Sequence, residues 1–207
     1  MNDATIRTPR LLLRAWTPAD REPFGQLNAD PVVMEHLPAT LTRQQSDAFA
    51  DRIEAHLDKH GYGLWAVEVS GAFAGFTGLA WSDVTGAPAL EVGWRLARTY
   101  WGHGLATEAA RAAIDVGLQH VDEVVSFTAV ANRRSWRVME RVGLRWVREF
   151  DHPLADLPDR LRRHVLYATP QECSPHSTLS PTCAQRPERG SSPGATRRVQ
   201  GAQPIEG

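Results

Sequence analysis

Residues 100–109 read Tyr-Trp-Gly-His-Gly-Leu-Ala-Thr-Glu-Ala and set Gly102 and Gly104 directly before an alanine-rich stretch. The first N–H groups of a helix have no partner within it, and the helix dipole is positive there. Glycine permits backbone conformations closed to other residues and lets a ligand come close. The segment therefore suits a pyrophosphate gripped by backbone N–H groups, with His103 adding a positive tip. A flexible connection that happens to precede a helix would read the same way. The Gly-Lys-Ser/Thr ending of a P-loop is absent, as is the third glycine of the dinucleotide fingerprint.

A second segment, NRRSWRVMERVGL from Asn132 to Leu144, can also do chemistry. At helical spacing Ser135, Val138, Met139 and Val142 share one stripe, with Asn132 at its head. An unpaired hydroxyl facing an apolar side costs on the order of 1–3 kcal/mol. Ser135 either bonds back to the carbonyl of Ala131 or faces a cofactor. The arginines of 133–141 either contact a ligand's phosphates or form a solvated helix face.

The elements that must position these segments alternate between helix and strand periods. Residues 11–16 (LLLRAW) predict a first strand. A helix follows over 17–28, with Thr17 as N-cap, Pro18 in its first position and Asp20 in its first turn. Residues 30–37 predict a short second helix, and 43–60 a longer one stopped by Gly61. Strands are predicted over 64–69, 73–81 and 89–96, separated by Ser70-Gly71 and by residues 83–88. Trp65, Trp81 and Trp94 lie in these strands and read as core. Near Thr107 a helix begins whose inner stripe is Ala110, Ala113, Ile114, Gly117, Leu118 and Val121. That stripe is mostly small, so the helix can approach a sheet closely. Glu108, Arg111 and Asp115 stand on its opposite face at ion-pairing spacings. Residues 123–130 predict a buried strand, 132–143 a helix opened by Asn132 and closed by Gly143, and 144–150 and 163–169 two final strands.

The 207 residues carry a formal net charge of -1 and are 42% hydrophobic. That supplies a sizeable core but no global field to recruit nucleic acid or an anionic membrane. No apolar run approaches the roughly 20 residues of a membrane-spanning helix, and the N-terminus lacks the apolar core of a secretion signal. Cys173 and Cys183 fit no zinc or redox motif, so a reducing cytoplasm is expected. The histidines are scattered, which predicts no metal centre. From residue 170 onward the chain is rich in Pro, Ser, Gly and Arg and has no aromatic residue. The reading is one domain over 1–169 and a disordered tail over 170–207.

Taken together, these segments resemble the GNAT superfamily of N-acetyltransferases, closest to the subfamily of bacterial ribosomal-protein N-terminal acetyltransferases. Trp101-Gly-His-Gly-Leu-Ala106 matches the family's acyl-CoA loop, except that Trp101 replaces a basic first residue. Asn132, Ser135, Val138, Arg141, Gly143 and Leu144 match the later helix in order, and TPRLLLRAWTPAD resembles the first strand and turn. The resemblance covers roughly residues 7–169.

It implies a mixed, mostly antiparallel α/β sheet flanked by helices. The fourth and fifth strands splay apart, and the pantetheine of acyl-CoA lies in the gap. Here those strands are 89–96 and 123–130. Gly93 predicts a bulge or a close backbone approach in the first of them, although it would equally accommodate tryptophan packing. The implied activity is direct transfer of an acetyl group from acetyl-CoA to a primary amine, at a protein N-terminus or on a small molecule. No nucleic-acid or membrane partner is expected, and a homodimer is left open. Leu96, Trp101, Gly102, His103, Gly104, Leu105, Ala106, Thr107 and Asn132 would hold the cosubstrate. Glu91 is the candidate base, its alternative being a solvated carboxylate or one paired with Arg95. Met139 stands seven residues after Asn132, where many family members carry an acidic tyrosine, so Ser135 becomes the candidate acid. A non-catalytic acyl-CoA sensor would keep the loop and Asn132 but need neither Glu91 nor Ser135. The acceptor loops, around 28–42 and 151–160, carry no readable code.

Overall fold

In the computed structural model, which describes residues 5–170, the period-two segments pair into one eight-stranded sheet. The chain runs β1 (Ile6–Arg7), β2 (Leu12–Arg14), α1 (Arg21–Ala29), α2 (Arg43–His60), β3 (Leu64–Val69), β4 (Ala72–Ser82) and β5 (Ala89–Leu96). It continues through α3 (Leu105–Gly117), β6 (Val124–Ala129), α4 (Arg133–Arg141), β7 (Arg145–Asp151), α5 (Asp159–Arg162) and β8 (Arg163–Ala168). The strand order is β1-β2-β3-β4-β5-β6-β8-β7. Every neighbouring pair is antiparallel except β5 and β6. This is the mixed, mostly antiparallel sheet that the resemblance implies. The tail predicted over 170–207 lies, from 171 onward, outside the described residues.

Opposed residues of an antiparallel pair share a face. Phe76 lies opposite Arg95, Gly78 opposite Gly93, and Ala80 opposite Glu91. The Phe76 ring meets Phe24 of α1 and Phe49 of α2 edge-on, so this face carries α1 and α2. The other face takes α3. There Ala109, Ala110, Ala113, Ile114 and Gly117 are buried, and a Cβ on Gly117 would lie 2.8 Å from Val124 Cγ2 and 3.1 Å from Leu79 Cδ2. The small stripe thus brings the helix close, as its composition predicts. At the entry to α1, Asp20 is buried and accepts from Arg14 Nη1 at 2.7 Å and Nη2 at 2.9 Å. Burial works against its charge, but the Arg14 guanidinium and the Thr17 donors outweigh that and hold its pKa below the ordinary carboxylate value.

Several local expectations are corrected. The predicted strand over 11–16 shrinks to β2, because Trp16 turns inward, donates from Nε1 to the Leu64 carbonyl at 2.8 Å and packs on Phe24. The predicted helix over 30–37 is a run of turns. Pro31 favours extended backbone at Asp30, whose ψ is 112°. The Asp30 carboxylate then accepts from the N–H of Val32 at 2.8 Å, an interaction that competes with a helix. α3 begins at Leu105 rather than Thr107, with Gly104 as its left-handed N-cap, and its end at Gly117 leaves Leu118 exposed. Within the predicted set of Glu108, Arg111 and Asp115, Glu108 and Arg111 instead take partners outside the helix. Glu108 accepts from Thr8 Oγ1 at 2.6 Å and Arg10 Nε at 2.6 Å, and Arg111 donates to the Arg141 carbonyl at 2.9 Å. Trp65 is core, whereas Trp81 is 40% exposed, with its indole N–H on Tyr62 Oη at 3.1 Å.

Candidate active site

β5 and β6 pair only at Leu90–Val124 and Glu91–Val125, although β5 runs on to Leu96 and β6 to Ala129. Beyond Glu91 the strands diverge, and a cavity of about 650 Å³ opens between them, bordered by residues 92–96 and 126–128. Backbone that leaves its ladder in this way can be met by the amide groups of an extended ligand. Gly93 makes neither a bulge nor a close contact. Its pairing with Gly78 is in register, and a Cβ there would have nothing within 4 Å. The close approach lies next door, where a Cβ on Gly78 would fall 1.9 Å from the Gly63 carbonyl oxygen.

The glycine loop closes the wide end of this gap. Gly102 (φ 82°) and Gly104 (φ 76°) are both left-handed, a conformation that disfavours any side chain. Around Gly102 the space is open, and around Gly104 only Arg10 Nη2, at 3.6 Å, lies near. Trp101 donates from Nε1 to the carbonyl of Leu96 at 2.7 Å, and the Arg134 guanidinium lies 4.6 Å over its ring. Leu96, Trp101, Gly102, Gly104, Leu105, Ala106 and Thr107 all border the cavity. His103 does not. It is exposed, and its carbonyl is held by Arg10 Nη1 at 2.8 Å, so the expected positive tip is not aimed at the site. The positive charge comes instead from α4, where Arg134, Arg137 and Arg141 border the cavity. Their spacing of three and four residues marks one helix face, a signal present in the sequence, where a phosphate contact stood beside a solvated face as the two readings.

Asn132 caps α4. Its Oδ1 accepts from the N–H of Ser135 at 3.2 Å, and its Nδ2 donates to Thr128 Oγ1 at 3.0 Å, which pins the helix start to β6. Ser135 is half-buried and borders the cavity, while Met139 is buried at 1% exposure and carries the apolar side. On the α1/α2 face of β5, Glu91 is half-buried and also borders the cavity. Arg95 is not its partner: Nη1 of Arg95 donates to Asn28 Oδ1 at 2.6 Å.

Elsewhere the cavity is walled by Val32, Val33, His36, Leu37 and Pro38 from one loop, and His152, Leu154 and Leu157 from another, the two loops where the sequence placed the acceptor. The two loops meet where Arg160 Nη1 donates to the Glu35 carbonyl at 2.5 Å. His164 also borders the cavity, and burial pushes its pKa down to about 4. Its ring centroid lies 4.9 Å from that of His152. Sequence reasoning left both histidines among scattered surface residues, because only the β7–β8 pairing brings them together. Among the described residues, no group of three His, Cys, Asp or Glu side chains could hold a metal ion, and no helix is long and apolar enough to cross a membrane.

Residues 10–145 match the family model of the acetyltransferase (GNAT) domain. The uncharacterized Bacillus subtilis (strain 168) protein YkkB is 29% identical over 164 residues, which span 75% of this chain and 95% of that protein. A GNAT-family acetyltransferase from Bacillus anthracis has the same fold, with a TM-score of 0.67 at 24% identity over 81% of this chain and 99% of that one. RimL, a ribosomal L7/L12 alpha-N-protein acetyltransferase solved in complex with coenzyme A, gives a TM-score of 0.65 at 16% identity over 79% of this chain and 96% of its own.

Proposed function

The chain belongs to the GNAT family of acetyltransferases, and from that premise we propose that it transfers the acetyl group of acetyl-CoA directly to a primary amine. One observation carries the reading: the β5–β6 gap, the glycine loop, Glu91 and Ser135 all border a single cavity. The open N–H groups at the start of α3 suit the pyrophosphate, with Arg134 and Arg137 beside them. Pantetheine runs down the gap and brings its thioester toward the closed end, near Glu91. The fit is consistent with RimL, which is seen with coenzyme A.

The amine nitrogen attacks the thioester carbonyl carbon, and the carbon–sulfur bond breaks. Glu91 takes the proton lost by the amine, directly or through a water. Ser135 hydrogen-bonds the departing thiolate and relays a proton to it, regaining one from solvent, in the place where Met139 cannot. Holding amine and thioester side by side supplies much of the acceleration. An α-amino group, with a pKa of ~7.7–8.0, asks less of Glu91 than a lysine at ~10.4. The acceptor is therefore a protein N-terminus or a small-molecule amine.

Thiol release from acetyl-CoA against a broad amine panel tests this, alongside thermal stabilisation by acetyl-CoA. Amine-dependent thiol release is the expected result. Stabilisation with no thiol release for any amine would instead identify a binding module.

A further inference from the structure

Among the described residues, Arg95 is a cation without a counterion. Its relative exposure is 9%, and its contacts are neutral: Asn28 Oδ1 at 2.6 Å and the Phe76 ring, 5.2 Å from its guanidinium carbon. None of the ion pairs among the described residues includes it. Burial lowers its pKa to about 10, so it stays protonated at neutral pH. Buried charges are ordinarily paired, because removing one from water costs several kcal/mol.

The surroundings hold this cation in place rather than neutralise it. Asn28 is fully buried and donates from Nδ2 to Ser46 Oγ at 2.8 Å. That bond points the Asn28 carbonyl oxygen at Arg95 and links α2, α1 and β5 in one chain. It occupies one guanidinium nitrogen, and an arginine has five N–H donors in a fork that matches carboxylate and phosphate. Arg95 itself borders the cavity.

The position says what the cation is for. Glu91, Gly93 and Arg95 share the face of β5 that carries α1 and α2, opposite Ala80, Gly78 and Phe76. The glycine loop and the arginines of α4 lie elsewhere on the cavity wall, so the coenzyme phosphates have their own cations. Along this floor the Cα atoms of Glu91 and Arg95 stand about 13 Å apart by the strand rise, with open space over Gly93 between them.

We infer that the acceptor is a bipolar molecule, an amine that also bears a carboxylate or phosphate, and that Arg95 pairs with that anion. This rests on the acetyl-transfer reading for the amine end, while the anion site stands on Arg95 alone. The spacing favours an acceptor whose amine and anion are several bonds apart.

The test has two arms, each on wild type, R95Q and R95K. In the first, protein saturated with CoA, so that its phosphate loop is filled, is titrated with sodium glutarate or inorganic phosphate at constant ionic strength. Both anions should bind wild type, and the stronger of the two identifies the class. R95Q should bind it about ten- to a hundredfold more weakly, the worth of a charge-assisted hydrogen-bonded pair. In the second, thiol release from acetyl-CoA is measured with 4-aminobutyrate, 6-aminohexanoate and 3-aminopropylphosphonate against the alkylamines of equal length. Wild type should favour the anionic amines in kcat/KM by about tenfold or more. R95Q should lose that preference with its acetyl-CoA affinity unchanged, and R95K, which keeps the charge without the fork, should fall between. If R95Q does not fold, R95K carries the comparison. Equal anion binding by wild type and R95Q, or no anion preference in wild type, overturns the inference. Anion binding that depends on Arg95, with no amine acetylated, supports the anion site and overturns acetyl transfer instead.

Discussion

The indole N–H of Trp101 donates to the carbonyl of Leu96 at 2.7 Å, so the first residue of the glycine loop is tied to the last residue of β5. The same ring is the platform for the Arg134 guanidinium, 4.6 Å above it. A tryptophan here closes the loop and holds a cation that the usual basic residue would itself have supplied. Trp101→Phe keeps the ring but deletes the hydrogen bond, worth about 0.5–1.5 kcal/mol. The dissociation constant for acetyl-CoA should rise about two- to tenfold with little change in Tm. Calorimetric titration decides it, and an unchanged constant would mean that the loop holds its shape without this bond.

Glu91→Gln preserves shape and removes basicity. Turnover should fall by about 10²–10⁴-fold, the usual contribution of a general base, while acetyl-CoA affinity stays near wild type. The deficit should shrink at high pH, where the free amine no longer needs the base. Full activity across the pH range would make Glu91 a structural carboxylate.

Two glycines opposite one another in the β4–β5 ladder should respond in opposite ways. Gly78→Ala drives a methyl toward the Gly63 carbonyl oxygen, 1.9 Å from where its Cβ would lie. The strands must shift, at a cost of about 1–3 kcal/mol or more, visible in denaturant unfolding. Gly93→Ala meets nothing within 4 Å, so stability should hold. The new methyl narrows the floor between Glu91 and Arg95, and the kcat/KM for the amine should drop with acetyl-CoA binding unaltered.

Acid should destabilise the fold in two stages. His164 has its pKa pushed down to about 4, mainly by burial, against about 6.5 in an unfolded chain. Between those values the unfolded chain binds a proton that the folded one refuses. Stability is thus complete above about pH 6.5 and declines toward pH 4. Asp20 acts lower. Its folded pKa is depressed by Arg14 and Thr17 against the opposing effect of burial, so its contribution is present above its unfolded pKa of about 3.9 and is lost as pH falls through the folded one. Tm measured from pH 8 to pH 3 should show both declines, and His164→Gln should shrink the upper one, to which His56, its pKa also lowered by burial, adds. A flat Tm between pH 6.5 and 4 in wild type would contradict this. Asp20→Asn at neutral pH should cost about 1–3 kcal/mol, because it removes one of the two carboxylates on Arg14 while Glu68, at 2.7 Å, remains.

What could be read in the sequence was local or periodic. Gly104 ahead of an alanine-rich run and Asn132 ahead of Ser135 are caps and turns whose chemistry spans a few residues. The small stripe through Ala110, Ala113 and Gly117 likewise announced a helix lying close on a sheet. The helix misread over 30–37 also had a local remedy, since Asp30-Pro31 combines a side chain that captures Val32 N–H with a proline that resists helix before it. Arg95 was beyond reach, because its partner Asn28 lies 67 positions away and the lack of a counterion among the described residues appears only when every neighbour is known. His152 and His164 needed the β7–β8 register. His103 was placed by type, as a cation between glycines, whereas its backbone carbonyl is the part in use.

The bonds from Thr8 and Arg10 to Glu108, and from Arg10 Nη1 to the His103 carbonyl, cross 93 to 100 positions of sequence. They make the segment before β2 a buttress for the loop proposed to meet the coenzyme. Thermodynamic reciprocity follows: whatever rigidifies the loop must tighten the buttress by the same coupling free energy. Amide hydrogens of residues 6–11 should exchange more slowly when acetyl-CoA binds, although they lie outside the cavity. Loosening that segment, by Arg10→Ala for example, should weaken coenzyme binding from a distance.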